Sequence, residues 1–311
     1  MRYDCALVFP GQGSQYPGMG KDFYEAFEEA RLIFDEATET IGRDIGKLCF
    51  EGTPEELNLT INTQTAVFTA TMAIYSVFEK QGGFKPAFMA GHSLGEYSAL
   101  TAAQALPLPE MLALVEARAA FMQEAVPPGA GAMATVIGMD RAILTEICRN
   151  VSRGEEKVWP ANLNAPGQMV VSGTAGAVEE VLVAVKSAGG RALMLPISVP
   201  CHCPLLEPAA LRLDEALSTV LFSDCLVTVV PNCDPGGTHG RETTKSLLVQ
   251  QLTAPVRWQE SIETIAQRGV TTFIETGPKK TLSGLIRRIV PEARLFNVED
   301  RASLEKTLEH F

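Results

Sequence analysis

Positive charge is scarce in this sequence: 26 Lys and Arg stand against 37 Asp and Glu, which leaves a net charge of −11 over 311 residues. A surface of that sign repels polyphosphate backbones and anionic lipid headgroups, so nucleic acid and membrane are excluded as main partners. Cysteine lacks a paired framework. Cys5, Cys49, Cys148, Cys201, Cys203, Cys225 and Cys233 make an odd set of seven, which fits free thiols in a reducing cytoplasm. No charged segment leads into an apolar signal core, and the uncharged stretch Val158 to Val178 is interrupted by Pro160, Asn162, Asn164, Pro166 and Gln168. The expectation is a cytoplasmic chain with no export signal and no membrane span. Histidine numbers only four, so a general base has few candidates.

With 46% hydrophobic and 20% charged residues, the composition is that of a folded globular chain, and the length suffices for one large core plus a smaller one. The segment from Gly131 to Ile197 reads as strand Ala132–Gly138, helix Asp140–Asn150, strand Lys157–Leu163, strand Gln168–Ser172, helix Thr174–Ala188 and strand Arg191–Ile197. That βαββαβ order is the ferredoxin-like motif, and prolines bracket it on both sides. It is therefore expected to form an inserted domain over residues 129–198. Outside it, the apolar runs Ala6–Phe9, Ala87–Ala90, Leu226–Val230, Thr272–Ile274 and Leu295–Val298 alternate with amphipathic stretches such as Thr65–Lys80 and Trp258–Arg268. Runs without polar alternation suit strands buried on both faces, so residues 1–128 and 199–311 predict a large α/β domain around a mainly parallel sheet.

Gly91-His92-Ser93-Leu94-Gly95 follows one of those runs and precedes a helix-competent stretch. This is the setting of a nucleophile elbow: the glycines permit a sharp strand-to-helix turn that lifts the Ser hydroxyl clear, and the helix N-terminus offers amide N–H groups to an oxyanion. The same pentapeptide also fits an ordinary turn with a capping Ser. A Ser nucleophile needs a base. His92 adjoins the Ser and would point away, His310 sits in a fraying C-terminus, and His239 lies in a glycine-rich loop with nothing evident to fix it; His202, in a Pro-flanked turn, remains. In Cys201-His202-Cys203 the alternation of extended chain turns the thiols away from the imidazole, so no metal site is expected. The loop Pro10-Gly11-Gln12-Gly13 fits neither a dinucleotide fingerprint nor a P-loop, although its glycines would let the Gln12 amide approach a ligand.

Taken together, Phe9-Pro10-Gly11-Gln12-Gly13-Ser14-Gln15, Gly91-His92-Ser93-Leu94-Gly95-Glu96-Tyr97, Val115-Glu116-Ala117-Arg118, Val199-Pro200-Cys201-His202 and Gln251-Leu252-Thr253-Ala254-Pro255-Val256-Arg257-Trp258 closely resemble the malonyl-CoA:acyl carrier protein transacylases. The resemblance runs in order from residue 6 to about 290. It implies an α/β-hydrolase-like catalytic domain with an inserted ferredoxin-like domain. It also implies a ping-pong transfer of malonyl from coenzyme A to the phosphopantetheine thiol of acyl carrier protein, with no further cofactor. Ser93 then corresponds to the nucleophile and His202 to the base. The amides of Gln12 and Leu94 correspond to the oxyanion hole, and the main-chain carbonyl of Gln251 to the group that orients the imidazole. Arg118 corresponds to the clamp for the malonyl carboxylate, a role its planar guanidinium suits.

The sequence departs from the pattern at Cys201, where Ser is common, at Ala119 in place of Gly, and at Lys279 in place of a frequent Gly. None removes a reacting group. A serine esterase or thioesterase on a hydrolase scaffold, an inactive docking module, and a polyketide acyltransferase with the same chemistry are the competing readings. For an acidic carrier protein to dock on an acidic chain, a local basic patch is required, and Lys279, Lys280, Arg287 and Arg288 are the candidates, on a helix expected from about Lys279 to Arg288.

Overall fold

The computed structural model describes residues 2–82, 85–197 and 199–311. Its strands, in chain order, are β1 (Arg2–Phe9), β2 (Lys85–Gly91), β3 (Gly131–Ile137), β4 (Val158–Ala165), β5 (Gln168–Thr174), β6 (Arg191–Met194), β7 (Thr228–Val230), β8 (Thr272–Thr276) and β9 (Arg294–Val298). They form a five-stranded sheet in the order β7-β2-β1-β8-β9, parallel at every pairing, and a four-stranded antiparallel sheet in the order β4-β5-β3-β6. Each of the five apolar runs of the large domain falls on a strand, although β7 begins at Thr228 and leaves Leu226 and Val227 outside it. In β1 successive side chains serve opposite faces, as the two-residue period demands: Leu7 and Phe9 join one buried cluster while Ala6 and Val8 join another. A sheet apolar on both faces is buried only if helices cover each side, and they do.

The stretch Thr65–Lys80, read above as amphipathic, lies in a 23-residue helix, Thr60–Gly82, that is buried on nearly every side from Thr60 to Phe78. It packs against helices Glu28–Ile41 and Leu108–Ala125, which leaves it little solvent face. Thr63 Oγ1 donates to the carbonyl of Leu59 at 3.0 Å and Thr65 Oγ1 to that of Ile61 at 3.2 Å, while the hydroxyls of Thr69 and Thr71 are buried without a partner among the described residues.

The residues of the second sheet fall between β2 and β7 in sequence, so the smaller layer is an insertion. Its elements follow the expected βαββαβ order, with helices Arg141–Val151 and Ala175–Ser187 closing a separate core around Val136, Leu144, Val171 and Val181. The last strand ends at Met194 rather than Ile197, and Ser198, the last residue of the expected inserted domain, lies outside the described residues. Backbone bonds stitch this layer to the large one: Leu163 N–H donates to the carbonyl of Val256 at 2.8 Å, and Val256 N–H to that of Ala161 at 2.9 Å. Arg141 pairs with Glu260 across the same seam at 2.9 Å. No described helix is long and apolar enough to cross a membrane.

Candidate active site

The carboxyl end of β2 turns through Gly91 and Ser93 into helix Leu94–Ala102. Ser93 holds φ 53° and ψ −106°, a strained conformation for a residue with a side chain. The turn closes because its neighbours have no Cβ. One built on Gly91 would meet the Gly95 carbonyl oxygen at 1.8 Å, and one on Gly95 would meet that of Phe9 at 2.1 Å. Gly11 likewise allows the loop after β1 to lie against the His92 carbonyl, so the Gln12 loop reaches the N-terminus of the helix that begins at Leu94.

Ser93 Oγ lies 2.7 Å from His202 Nε2, and His202 Nδ1 lies 2.8 Å from the carbonyl oxygen of Gln251. A carbonyl only accepts, so Nδ1 carries the hydrogen and Nε2 presents its lone pair to the Ser hydroxyl. Burial, then the nearby guanidinium of Arg118, lowers the His202 pKa to about 3, which keeps the imidazole neutral and ready to accept a proton at neutral pH.

Arg118 is 1% exposed. Its Nη1 donates to Gln64 Oε1 at 2.5 Å, and its Nη2 donates to Gln251 Oε1 at 2.9 Å and to Ser93 Oγ at 3.2 Å. Its Nε has no hydrogen-bond partner among the described residues, and the face of Tyr97 lies 5.2 Å from its centre. Among the described residues no carboxylate pairs with this buried cation. Burying a charge without a counter-charge is costly, and a site that does so is built to receive an anion.

These groups line a cavity of about 260 Å³ between the carboxyl end of the parallel sheet and the inserted layer, where Met133, Val170 and Leu195 form an apolar wall. Ligands of open α/β sheets bind outside the carboxyl ends of the strands, which is where this cavity lies. Asn162 also lines it, with a buried Oδ1 that has no hydrogen-bond partner among the described residues. The Cys201 thiol borders the same space, but burial pushes its pKa up to about 12, so it stays protonated and poorly nucleophilic. Cys201 and Cys203 donate to the carbonyls of Val199 and Pro200, and His202 faces Ser93 instead of either thiol.

The structure thus brings Ser93, His202, Arg118 and Gln251 into one hydrogen-bonded group, with Gln12 and Leu94 beside it in the cavity lining. It corrects two histidine readings. His239 is buried and bonded at Nε2 to Glu96 Oε1 at 2.7 Å, and the His310 ring lies against Phe296, tilted by 53° with ring centres 4.8 Å apart. His92 does turn away from Ser93, donating from Nε2 to Asn164 Oδ1 at 2.8 Å. Sequence reasoning missed Gln64, Glu96 and Asn232. Asn232 accepts from the Ser93 N–H and donates to the Gly91 carbonyl, both at 2.7 Å, so it clamps the elbow. Only the acidic residue directly after the pentapeptide, Glu96, gave any local signal.

The acyl transferase domain family matches residues 6–303. The chain belongs to that family. This acyltransferase is 44% identical over 305 residues to the malonyl CoA-acyl carrier protein transacylase of Bacillus subtilis, covering 98% of this chain and 96% of the relative. The Escherichia coli K12 protein of the same name is also 44% identical, at 98% coverage of both chains. Among solved structures, the acyltransferase matches the malonyl CoA-acyl carrier protein transacylase of Coxiella burnetii with a TM-score of 0.95 at 40% identity, covering 98% of this chain and 96% of the other. It matches a malonyl-transacylase solved in complex with its type II PKS acyl-carrier protein with a TM-score of 0.97 at 44% identity, covering 99% and 100%. An α/β architecture with a smaller inserted domain is common ground with these neighbours.

Proposed function

We propose that this chain transfers malonyl from malonyl-CoA to the phosphopantetheine thiol of an acyl carrier protein through an ester on Ser93. The observation that carries the reading is Arg118, a buried guanidinium with no carboxylate partner among the described residues and 3.2 Å from the Ser93 hydroxyl. The free carboxylate of a malonyl group bound to Ser93 would neutralise it, whereas acetyl would leave it unpaired.

In the first half-reaction His202 Nε2 takes the Ser93 proton as Oγ bonds to the thioester carbon. The amides of Gln12 and Leu94 donate to the oxyanion of the tetrahedral intermediate. As that intermediate collapses, the carbon–sulfur bond breaks and His202 returns the proton to the departing coenzyme A thiol. The second half repeats these steps in reverse with the carrier thiol: His202 takes its proton, sulfur attacks the ester, and Ser93 leaves reprotonated. The Gln251 carbonyl fixes the tautomer without adding a negative charge. The unpartnered Asn162 Oδ1 provides an acceptor for an amide N–H of the pantetheine arm, and the apolar wall shields the ester from water. The seven cysteines, all free thiols, support a cytoplasmic setting.

Intact-mass measurement after incubation with malonyl-CoA tests the reading. The wild-type protein is expected to gain one malonyl group and Ser93→Ala none. A labelled Ser93→Ala protein, for example one acylated at Cys201, would overturn the assignment.

A further inference from the structure

Behind the reacting groups lies a carboxylate that the chemistry above does not use. Glu96, in the first turn of the elbow helix, is fully buried and meets three donors. His239 Nε2 donates to Oε1 at 2.7 Å, while the Asn232 backbone N–H at 2.9 Å and Gln251 Nε2 at 3.0 Å donate to Oε2. The second nitrogen of His239 lies 3.3 Å from Thr244 Oγ1, so that side chain is held from both ends.

A primary amide fits its surroundings in two orientations differing by 180°, and neighbours decide which is taken. Glu96 Oε2 already accepts from the Asn232 backbone N–H, a group that can only donate. Facing Glu96, Gln251 must therefore present its NH₂, which also donates to the Ser93 carbonyl at 3.0 Å. The Gln251 Oε1 is then turned to Arg118 Nη2. Reversed, the amide would set its NH₂ against the guanidinium and its oxygen against both a carboxylate and a carbonyl.

We propose that Glu96, held in place by His239, is a positioning residue for substrate recognition: it fixes the orientation of the Gln251 carboxamide and thereby aims Arg118 at the malonyl carboxylate. This rests on the reading of Arg118 as the carboxylate clamp. The base is carried differently, because His202 bonds to the main-chain carbonyl of Gln251 and not to its amide. Disturbing the Gln251 side chain reaches Arg118 through Oε1 and the Ser93 carbonyl through Nε2; the second effect falls on every acyl group alike, so the malonyl-to-acetyl ratio isolates the first.

The test compares acylation by malonyl-CoA and by acetyl-CoA on the same preparation, so that the fraction of folded enzyme cancels in the ratio. Glu96→Gln keeps the shape but replaces two acceptor oxygens by one. His239→Phe removes the donor that holds the carboxylate, and His239→Gln keeps a nitrogen at the same reach. In Glu96→Gln and His239→Phe the malonyl-to-acetyl ratio of kcat/KM is expected to fall on the order of tenfold, the scale of a lost hydrogen bond to a charged group, with a raised KM for malonyl-CoA. His239→Gln should recover a substantial part of that ratio. Parallel losses for both substrates, or an unchanged ratio in both variants, would reduce Glu96 and His239 to structural support. A wild-type enzyme with no malonyl preference, or an Arg118→Ala variant that retains it, would instead remove the clamp reading itself.

Discussion

Ser93 persists in a conformation that costs on the order of 1–3 kcal/mol because both of its peptide groups are held, its N–H by Asn232 and its carbonyl by Gln251. In the proposed reading Arg118 supplies the discrimination. Truncating a buried charged group that pairs with substrate costs about 3 kcal/mol, so Arg118→Ala should lose on the order of a hundredfold in kcat/KM for malonyl-CoA. Transfer of an uncharged acyl group should lose much less, and equal losses would make Arg118 a structural residue. His202 gives a second expectation, because burial and Arg118 lower its pKa from the ordinary value near 6.5 to about 3. The base form thus survives below pH 6, and kcat/KM for malonyl-CoA in the free enzyme should show no acid limb near 6.5. A midpoint there would contradict the burial argument. The same depression fixes the sign for stability. Between pH 6.5 and 3 the unfolded chain binds a proton that the folded chain refuses, so this group's contribution is full above 6.5 and is lost as the pH falls toward 3. Denaturant titrations across that window measure it.

Helix Thr281–Ile289 carries the clearest prediction at the level of elements. It begins where Glu275, at the end of β8, accepts from the backbone N–H groups of Leu282 and Ser283 at 2.9 and 2.7 Å, and it buries Leu282, Leu285 and Ile286. That leaves Lys280, Arg287 and Arg288 on the exposed side, beside the mouth that Thr281 and Leu285 line. Two of the four candidate cations are engaged elsewhere: Lys279 donates to the Gly13 carbonyl at 3.0 Å, and Arg288 donates to Pro166 O and Gln168 Oε1 at 3.0 and 3.1 Å. Lys280→Glu and Arg287→Glu should raise KM for the carrier protein while leaving a small pantetheine thiol unaffected as acceptor. Matching losses with both acceptors would place the damage in the cavity. These elements were largely legible in the sequence. Continuous apolar runs marked all five parallel strands, and the change of period marked the βαββαβ insertion. The Thr60–Gly82 helix was misread as amphipathic because its threonines count as polar although they are buried, Thr65 by bonding to the Ile61 carbonyl one turn back. His239 was set aside as unfixed because its partner, Glu96, is 143 residues away in sequence. Asn232 bonds across a comparable separation, and no local pattern reveals such pairs.

For the whole molecule, a net charge of −11 opposes approach of an acidic partner, so the Lys280 and Arg287 prediction rests on local charge and not on the net charge. The two layers meet at the cavity and are pinned by the Val256 backbone bonds and the Arg141–Glu260 pair, so one wall of the site belongs to the insertion and the other to the large sheet. Such a site can hold an ester away from water until a thiol enters, and this property separates a transferase from a hydrolase built on the same elbow. The most direct measurement is to form the malonyl-enzyme with malonyl-CoA, remove the coenzyme, and follow both protein masses before and after adding phosphopantetheinylated carrier protein. The malonyl mass should remain on the enzyme while no acceptor is present, then move to the carrier protein as the enzyme returns to its unmodified mass. Release of malonate to water before the carrier protein is added, or an enzyme that stays acylated in its presence, would contradict the account.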